Sequence, residues 1–193
     1  MRTLRILTPI VIAMVIIDAL TTPAVFAGAW LFPDFYDSVI TPVAADMDIL
    51  IAIFGLVTMI VFGFWIVRAG KNLVELGFTD LEFTPAARVW WFFVPFACLV
   101  MPYQGMRELW NASHGKRDYG ETEQLVAIWW GLWLLRSFGG LIALIFISAN
   151  GEAAFWIQGV VDAALAFVAI QLLREITAAQ GRLRGPGLAE VFA

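Results

Sequence analysis

The sequence predicts an all-α protein: a polytopic helical membrane protein with four spanning helices plus one short re-entrant or interfacial helical element. Three observations carry that expectation. Of its 193 residues, 61% are apolar and 15% charged, where a soluble domain runs at about 45–50% and about 25%. Mean hydropathy is +0.83 over the whole length, with nine Trp and sixteen Phe, more apolar surface than one core of this size can hide from water. The apolar residues also fall in long uncharged runs rather than scattered through the chain.

The first run, Ile6–Phe26, follows the basic start Met1-Arg2-Thr3-Leu4-Arg5, a pattern that signal peptides share with first membrane helices. Ala27-Gly28-Ala29 has the look of a cleavage site. Asp18 interrupts the run, however, and as a helix it reaches about 30 Å, enough to cross hydrocarbon, so a retained span is expected. An acidic external loop holding Asp34, Asp37, Asp46 and Asp48 follows. Ile49–Val67 then gives nineteen residues without a charge, closed by Arg68, the cleanest span in the chain. Arg68, Asn72 and Glu75 stand at i, i+4 and i+7, so the helix is expected to continue with one polar face until Gly77 stops it.

The third run, Val89–Met101, has only thirteen residues, about 20 Å of helix against a core of about 30 Å. Pro95 lies inside it and Pro102 follows. It is expected to dip in and return. Beyond it, Tyr103, Met106, Trp110 and Ser113 follow one helical stripe and Gln104, Arg107, Glu108 and Asn111 another, which reads as an amphipathic helix at the headgroups. Leu125–Ala149, interrupted by Arg136, and Ala153–Leu173, interrupted by Asp162, form an expected antiparallel hairpin around a turn at Asn150-Gly151-Glu152. After Glu175 the chain is rich in Gly and Arg and closes with Gly185-Pro186-Gly187, so no packed element is expected there. The organisation is therefore a single helical membrane domain, 1–174, and a short cytoplasmic tail, 175–193.

Charge placement bears on the third run, because Lys and Arg of short loops collect on the cytoplasmic side. If the run returns, Arg2, Arg5, Arg68, Lys71, Arg88, Arg107, Lys116, Arg117, Arg174, Arg182 and Arg184 all lie inside and Arg136 alone lies in the membrane. If it crosses, five basic residues fall inside and six outside. The first arrangement is expected, with both termini cytoplasmic.

The same composition narrows the function classes. A net charge of −4 provides no basic surface of the size nucleic acid needs, so nucleic acid is not an expected partner. Cys98 is the single cysteine, which excludes an internal disulfide. His114, the single histidine, sits in a polar turn, and no metal site, haem or other cofactor is expected. No nucleophile with a partnering base is recognisable, so an enzyme is the less favoured reading. Trp90, Trp91, Trp110, Trp129, Trp130 and Trp133 read as interfacial belts, and Gly139-Gly140 with Gly159 as places of close helix approach.

Two sets of polar residues are candidate sites. Asp18, Arg136 and Asp162 are the ionisable residues inside expected spans, each costing about 2.5 kcal/mol or more at the bilayer centre if unpaired. Their depths from the external ends differ by only about 6 Å, so the long Arg136 side chain can reach either carboxylate. The cluster reads as an interhelical clamp or as part of an ion or solute route. The second set, Arg68, Asn72, Gln104, Arg107 and Glu108, combines positive charge, amides and a carboxylate on the cytoplasmic side. It reads as an anionic head-group or partner site, or as the hydrogen-bonding support of the folded-back segment.

Three stretches together carry a resemblance: FWIVRAGKNLVELG from Phe64, TPAARVWWFFVPFACLVMPYQGMRELW from Thr84, and WWGLWLL from Trp129. They resemble the bacterial family known as domain of unknown function 4328. The resembling positions are Arg68, Asn72, Leu73, Leu76, Gly77, Thr84, Pro85, Trp91, Phe92, Pro95, Pro102, Tyr103, Gln104, Met106, Glu108 and Trp110. Cys98 departs from an Asn expected there, and Arg88 with Trp90 departs from a small-residue stretch. The resemblance implies a multi-pass protein of the bacterial inner membrane and supplies no reaction. The resulting expectation is an integral inner-membrane protein of unknown biochemical activity, non-enzymatic, acting through membrane lipids and a protein partner or homo-oligomer. The alternative is a small transporter or channel using the intramembrane Asp/Arg cluster.

Overall fold

A computed structural model describes the backbone of residues 2–146 and 151–183 and the side-chain surroundings of residues 2–139 and 156–183. Among the described residues all regular structure is helical. Five helices make the body: α1 (Arg2–Leu31), α2 (Ala44–Glu75), α3 (Met101–Ser113), α4 (Gln124–Phe146) and α5 (Gly151–Leu183). Among the described residues three helical stretches are long and apolar enough to cross a membrane: Arg2–Leu31, Pro33–Glu75 and Trp156–Leu183.

The helices outgrow the apolar runs that announce them. α1 passes through Pro9 and Pro23 without ending. The expected acidic loop is a series of tight turns instead: Pro33–Phe35 α-helical, Tyr36–Ile40 with a π-type turn, Thr41–Val43 with a 3-10 turn. Pro33 and Pro42 open two of these turns, where a missing N–H costs nothing. Asp46 lies in the first turn of α2, where a negative charge complements the helix dipole. At its other end α2 closes on Gly77 (φ 92°), with Phe78 N–H donating to Leu73 C=O at 3.1 Å and Gly77 N–H to Val74 C=O at 3.0 Å. This is a Schellman cap, and the positive φ is why a glycine stands there.

One expectation near residue 150 changes. Gly151 and Glu152 belong to α5 rather than to a turn, and Asn150 with residues 147–149 at the expected end of the fourth run lies outside the described residues. At the far end, α5 does not stop near Glu175 but continues to Leu183, burying Ile176, Ala179 and Gln180. Leu172, Leu173, Ile176 and Ala179 keep a helical apolar spacing across the charged pair Arg174-Glu175, and tertiary packing carries the helix through it. Gly185-Pro186-Gly187 lies outside the described residues.

α1 packs against both α2 and α5, and α4 packs against α5. Pairs along the seams fix the directions. Thr8 meets Trp65 and Thr177, while Asp18 lies beside Gly55, so α1 runs opposite to α2 and α5. Phe62 stacks on Trp129, and Arg136 reaches Asp18, so α4 runs with α1. Residues 76–123 therefore leave α2 and enter α4 at one and the same end of the bundle.

That connection folds back along the helices. Pro85 and Arg88 lie against Gly70, and Val89 lies against Gly63, about two turns deeper on α2. The expected single helical element is broken into three turns, Ala87–Trp90, Trp91–Phe93 and Ala97–Leu99. Val94 is extended (φ −95°, ψ 117°), as a residue before proline prefers, and Phe96 after Pro95 has φ 61°. Leu99 C=O accepts from Trp130 Nε1 at 3.1 Å, and Phe92 meets Trp130 and Trp133 edge-on.

The core is concentrated at this end: Leu4, Trp65, Leu73, Leu109, Leu172, Leu173 and Ile176 are fully buried. α3 is not the surface helix that its two stripes predict. Glu108 and Asn111 on its polar stripe are buried along with Met106, Leu109 and Trp110, because α2, α4 and α5 all pack on it. Trp110, Trp129 and Trp130 are likewise core residues rather than belt residues, while Trp90 is exposed. Of the glycines expected at close helix approaches, Gly159 faces α1, where a Cβ would stand 3.9 Å from Pro23 Cγ; among the described residues a Cβ on Gly139 would meet Leu135 of its own helix, and the surroundings of Gly140 lie outside the described residues.

Candidate functional site

The first candidate lies midway along the bundle. Arg136 of α4 places Nη2 3.1 Å from Asp18 Oδ2 on α1 and Nε 3.2 Å from Asp162 Oδ1 on α5. Gln158, one turn before Asp162, donates to Asp162 Oδ1 at 3.0 Å. α2 contributes room, since a Cβ on Gly55 would stand 3.2 Å from Asp18 Oδ1. The structure thus brings all three charged residues together, with one cation shared by two anions. Arg136 retains 41% side-chain exposure, against 13% for Asp18 and 9% for Asp162.

The residues of the second set are engaged with several different partners. Arg68 makes a two-pronged pair with Glu75 on its own helix, at 2.9 and 3.2 Å. Asn72 turns inward and donates to Gln180 Oε1 at 3.1 Å. Arg107 lies over the Tyr103 ring, 5.4 Å from its centroid, a cation–π contact. Gln104 is half-buried on α3. Glu108 is buried and accepts from Arg88 Nη2, from Glu82 N–H at 2.8 Å and from Phe83 N–H at 3.2 Å.

Arg88, Gln180 and Thr8 are polar residues on which this end is built, and their sequence context does not mark any of them as a site residue. Arg88 is 1% exposed and also donates Nε–H to Gly105 C=O at 3.2 Å. Gly70 and Gly105 make the space, since a Cβ at either would meet the Arg88 side chain at 2.7 and 3.2 Å. Burial lowers the Arg88 pKa, and attraction and hydrogen bonding to Glu108 oppose that shift. Gln180 donates to Ala69 C=O and to Ser113 Oγ, both at 3.0 Å, so one side chain ties α5 to α2 and α3. Thr8 accepts from Trp65 Nε1 at 2.9 Å, shares a 2.8 Å bond with Thr177, and donates back to Leu4 C=O. The signals were weak ones: two glycines flanking a cation's position, and a glutamine on an apolar stripe.

Asn111 holds the loop after α3, donating to Tyr119 C=O at 3.0 Å and to Glu121 C=O at 2.8 Å. His114 stacks on Trp110 with ring centroids 4.3 Å apart and its Nδ1 lies 2.8 Å from Trp110 C=O, serving the end of α3. Among the described residues, no three His, Cys, Asp or Glu side chains are close enough to hold a metal ion.

These features define an all-helical protein with apolar helices long enough to cross a membrane, a shared-cation triad at mid-height and a polar, hydrogen-bonded end. The family model for the domain of unknown function DUF4328 matches residues 41–178, and the chain belongs to that family. No curated protein and no solved structure matches the chain.

Proposed function

We propose that this is an integral membrane protein of four spans, α1, α2, α4 and α5, with residues 76–123 entering and leaving the bilayer on one side. On this reading that segment, with both termini, faces the cytoplasm of a bacterial cell and α3 forms a rigid cap. The protein works through lipid or protein contacts rather than by a reaction. The observation that carries the reading is the Gln180 network: Asn72 of α2, Ser113 of α3 and Gln180 of α5 are joined at the end that also holds residue 2. Several of the cap's polar groups are engaged within the protein, as Arg88 Nη2 with Glu108 and Asn111 Nδ2 with the loop carbonyls of Tyr119 and Glu121. Long exposed apolar side chains on the outer faces, among them Leu50, Phe64, Val160 and Phe167, support a hydrocarbon surround.

Single cysteines at His114 and at Asp37, in a Cys98→Ser background, test the topology with an impermeant thiol reagent on intact cells. Labelling at position 37 and protection at 114 are expected; labelling at 114 overturns the sidedness. A second reading, a small transporter or channel, is favoured by the partial exposure of Arg136 between its two carboxylates. Flux into proteoliposomes that Asp162→Asn abolishes would establish it in place of the first.

A further inference from the structure

The seam between α1 and α5 opens into a groove of about 810 Å³ at the end carrying residues 2 and 183. Arg5 lines it from α1, and Arg174 and Arg182 line it from α5. Among the described residues none of these three arginines forms an ion pair. Arg5 reaches across the seam, so that a Cβ on Gly181 would stand 3.7 Å from its Nη2. Arg174 lies eight residues before Arg182, about 12 Å further along the helix. The groove then continues between apolar walls that include Ile12 and Ile16 of α1. The Thr8–Thr177 hydrogen bond joins the two helices within it.

We infer that this groove binds one anionic phospholipid, its phosphate among Arg5, Arg174 and Arg182 and an acyl chain along Ile12 and Ile16. The inference rests on the membrane reading above. The argument is one of charge complementarity and shape. Unpaired guanidiniums on a membrane protein's cytoplasmic end recognise phosphate by forked, charge-assisted hydrogen bonds. Arg174, the deepest, has a stem long enough to lie on apolar surface while its head reaches the phosphate layer. A soluble anion would use only the mouth of the groove and leave its apolar length unfilled, whereas an amphiphile fills both parts.

The test uses the purified full chain in detergent, titrated with phosphatidylglycerol, with phosphatidylcholine and with inorganic phosphate. Bound lipid is counted by native mass spectrometry and thermal unfolding is followed in parallel. Phosphatidylglycerol is expected to bind at least tenfold more tightly than phosphatidylcholine, and millimolar phosphate is expected not to displace it. Arg5→Gln/Arg174→Gln/Arg182→Gln should reduce the preference to that of phosphatidylcholine. Lys71→Gln/Arg117→Gln, on exposed positions outside the groove, should leave it unchanged. Ile16→Trp fills the apolar part with the charges intact and should weaken lipid binding by a similar factor. Equal loss in the Lys71/Arg117 variant, unaltered binding in the triple or Trp variant, or displacement by phosphate overturns the inference. Release of the protein from membranes by alkaline carbonate would instead defeat the membrane reading itself.

Discussion

Asn72 and Gln180, separated by 108 positions in sequence, share a 3.1 Å hydrogen bond in a region that excludes solvent from both side chains. Gln180 is 0% exposed, and its amide nitrogen serves two further partners, Ala69 C=O and Ser113 Oγ. Leaving buried donors and acceptors unmatched costs about 1–3 kcal/mol each. Gln180→Leu is therefore expected to destabilise the protein by about 2–3 kcal/mol. The loss should appear as a lower thermal midpoint in detergent and as faster proteolysis of the loop after Ser113. An unchanged midpoint would mean that the network does not hold the three helices.

Arg88 and Glu108 are a buried ion pair, and such a pair costs most when one member is left alone. Either Arg88→Met or Glu108→Leu should destabilise by about 3–5 kcal/mol, with the double variant much less affected than the sum. Glu108 also caps the Glu82 and Phe83 amides, so Glu108→Gln, which keeps acceptor capacity, should be milder than Glu108→Leu. Additive effects in this double-mutant cycle would contradict the pairing.

Arg136 is shared by two carboxylates, and its removal leaves Asp18 and Asp162 without the cation between them. Arg136→Leu should cost about 2–3 kcal/mol, discounted from a fully buried pair because the guanidinium is partly exposed. Adding Asp18→Asn and Asp162→Asn removes the uncompensated charge and should recover most of the loss. Unfolding in detergent or bicelles measures both steps, and failure of the neutral set to recover would place the cost in packing instead.

The loop after α3 carries a pH signature. Desolvation works against the charge on Lys116, but hydrogen bonding and attraction to Glu121, 3.3 Å away, and to Glu123 raise its pKa above 10.5. Burial, then Asp80, which accepts its hydroxyl at 3.3 Å, raises Tyr119 above 10.0. In both cases the folded state holds the proton more tightly than the unfolded chain. The stabilisation is then complete below about pH 10 and is lost as pH climbs through the raised values. Phenolate absorbance should show a step above 10.0 that Tyr119→Phe removes and Asp80→Asn moves downward. A titration indifferent to both substitutions would separate Tyr119 from Asp80.

What the sequence reveals and what it hides divide along physical lines. The apolar runs around Ile6–Phe26 and Ile49–Val67 locate α1 and α2 because their composition is uniform over many turns, and Gly77 marks the end of α2 because a positive φ needs it. Asp18, Arg136 and Asp162 were noticeable as charges in apolar runs. The burial of Arg88 was not, because a cation next to Pro85 and Trp90 looks like a surface residue until Gly70 and Gly105 close around it. Nor was the continuation of α5: Arg174-Glu175 reads as an end, and the burial of Ile176 and Gln180 depends on α2 and α3, which are distant in sequence. The stripes of α3 were legible, but not that both would be covered, since amphipathicity records one helix and not the number of its neighbours.

The route of residues 76–123 has a consequence for how such a chain can vary. Because it departs from Glu75 and arrives at Gln124 on one and the same level, it leaves the parity of the fold untouched. Insertions or deletions there would enlarge or trim the cap without inverting α4 and α5, whereas lengthening it into a full crossing would turn both upside down and carry Arg174 and Arg182 to the opposite face.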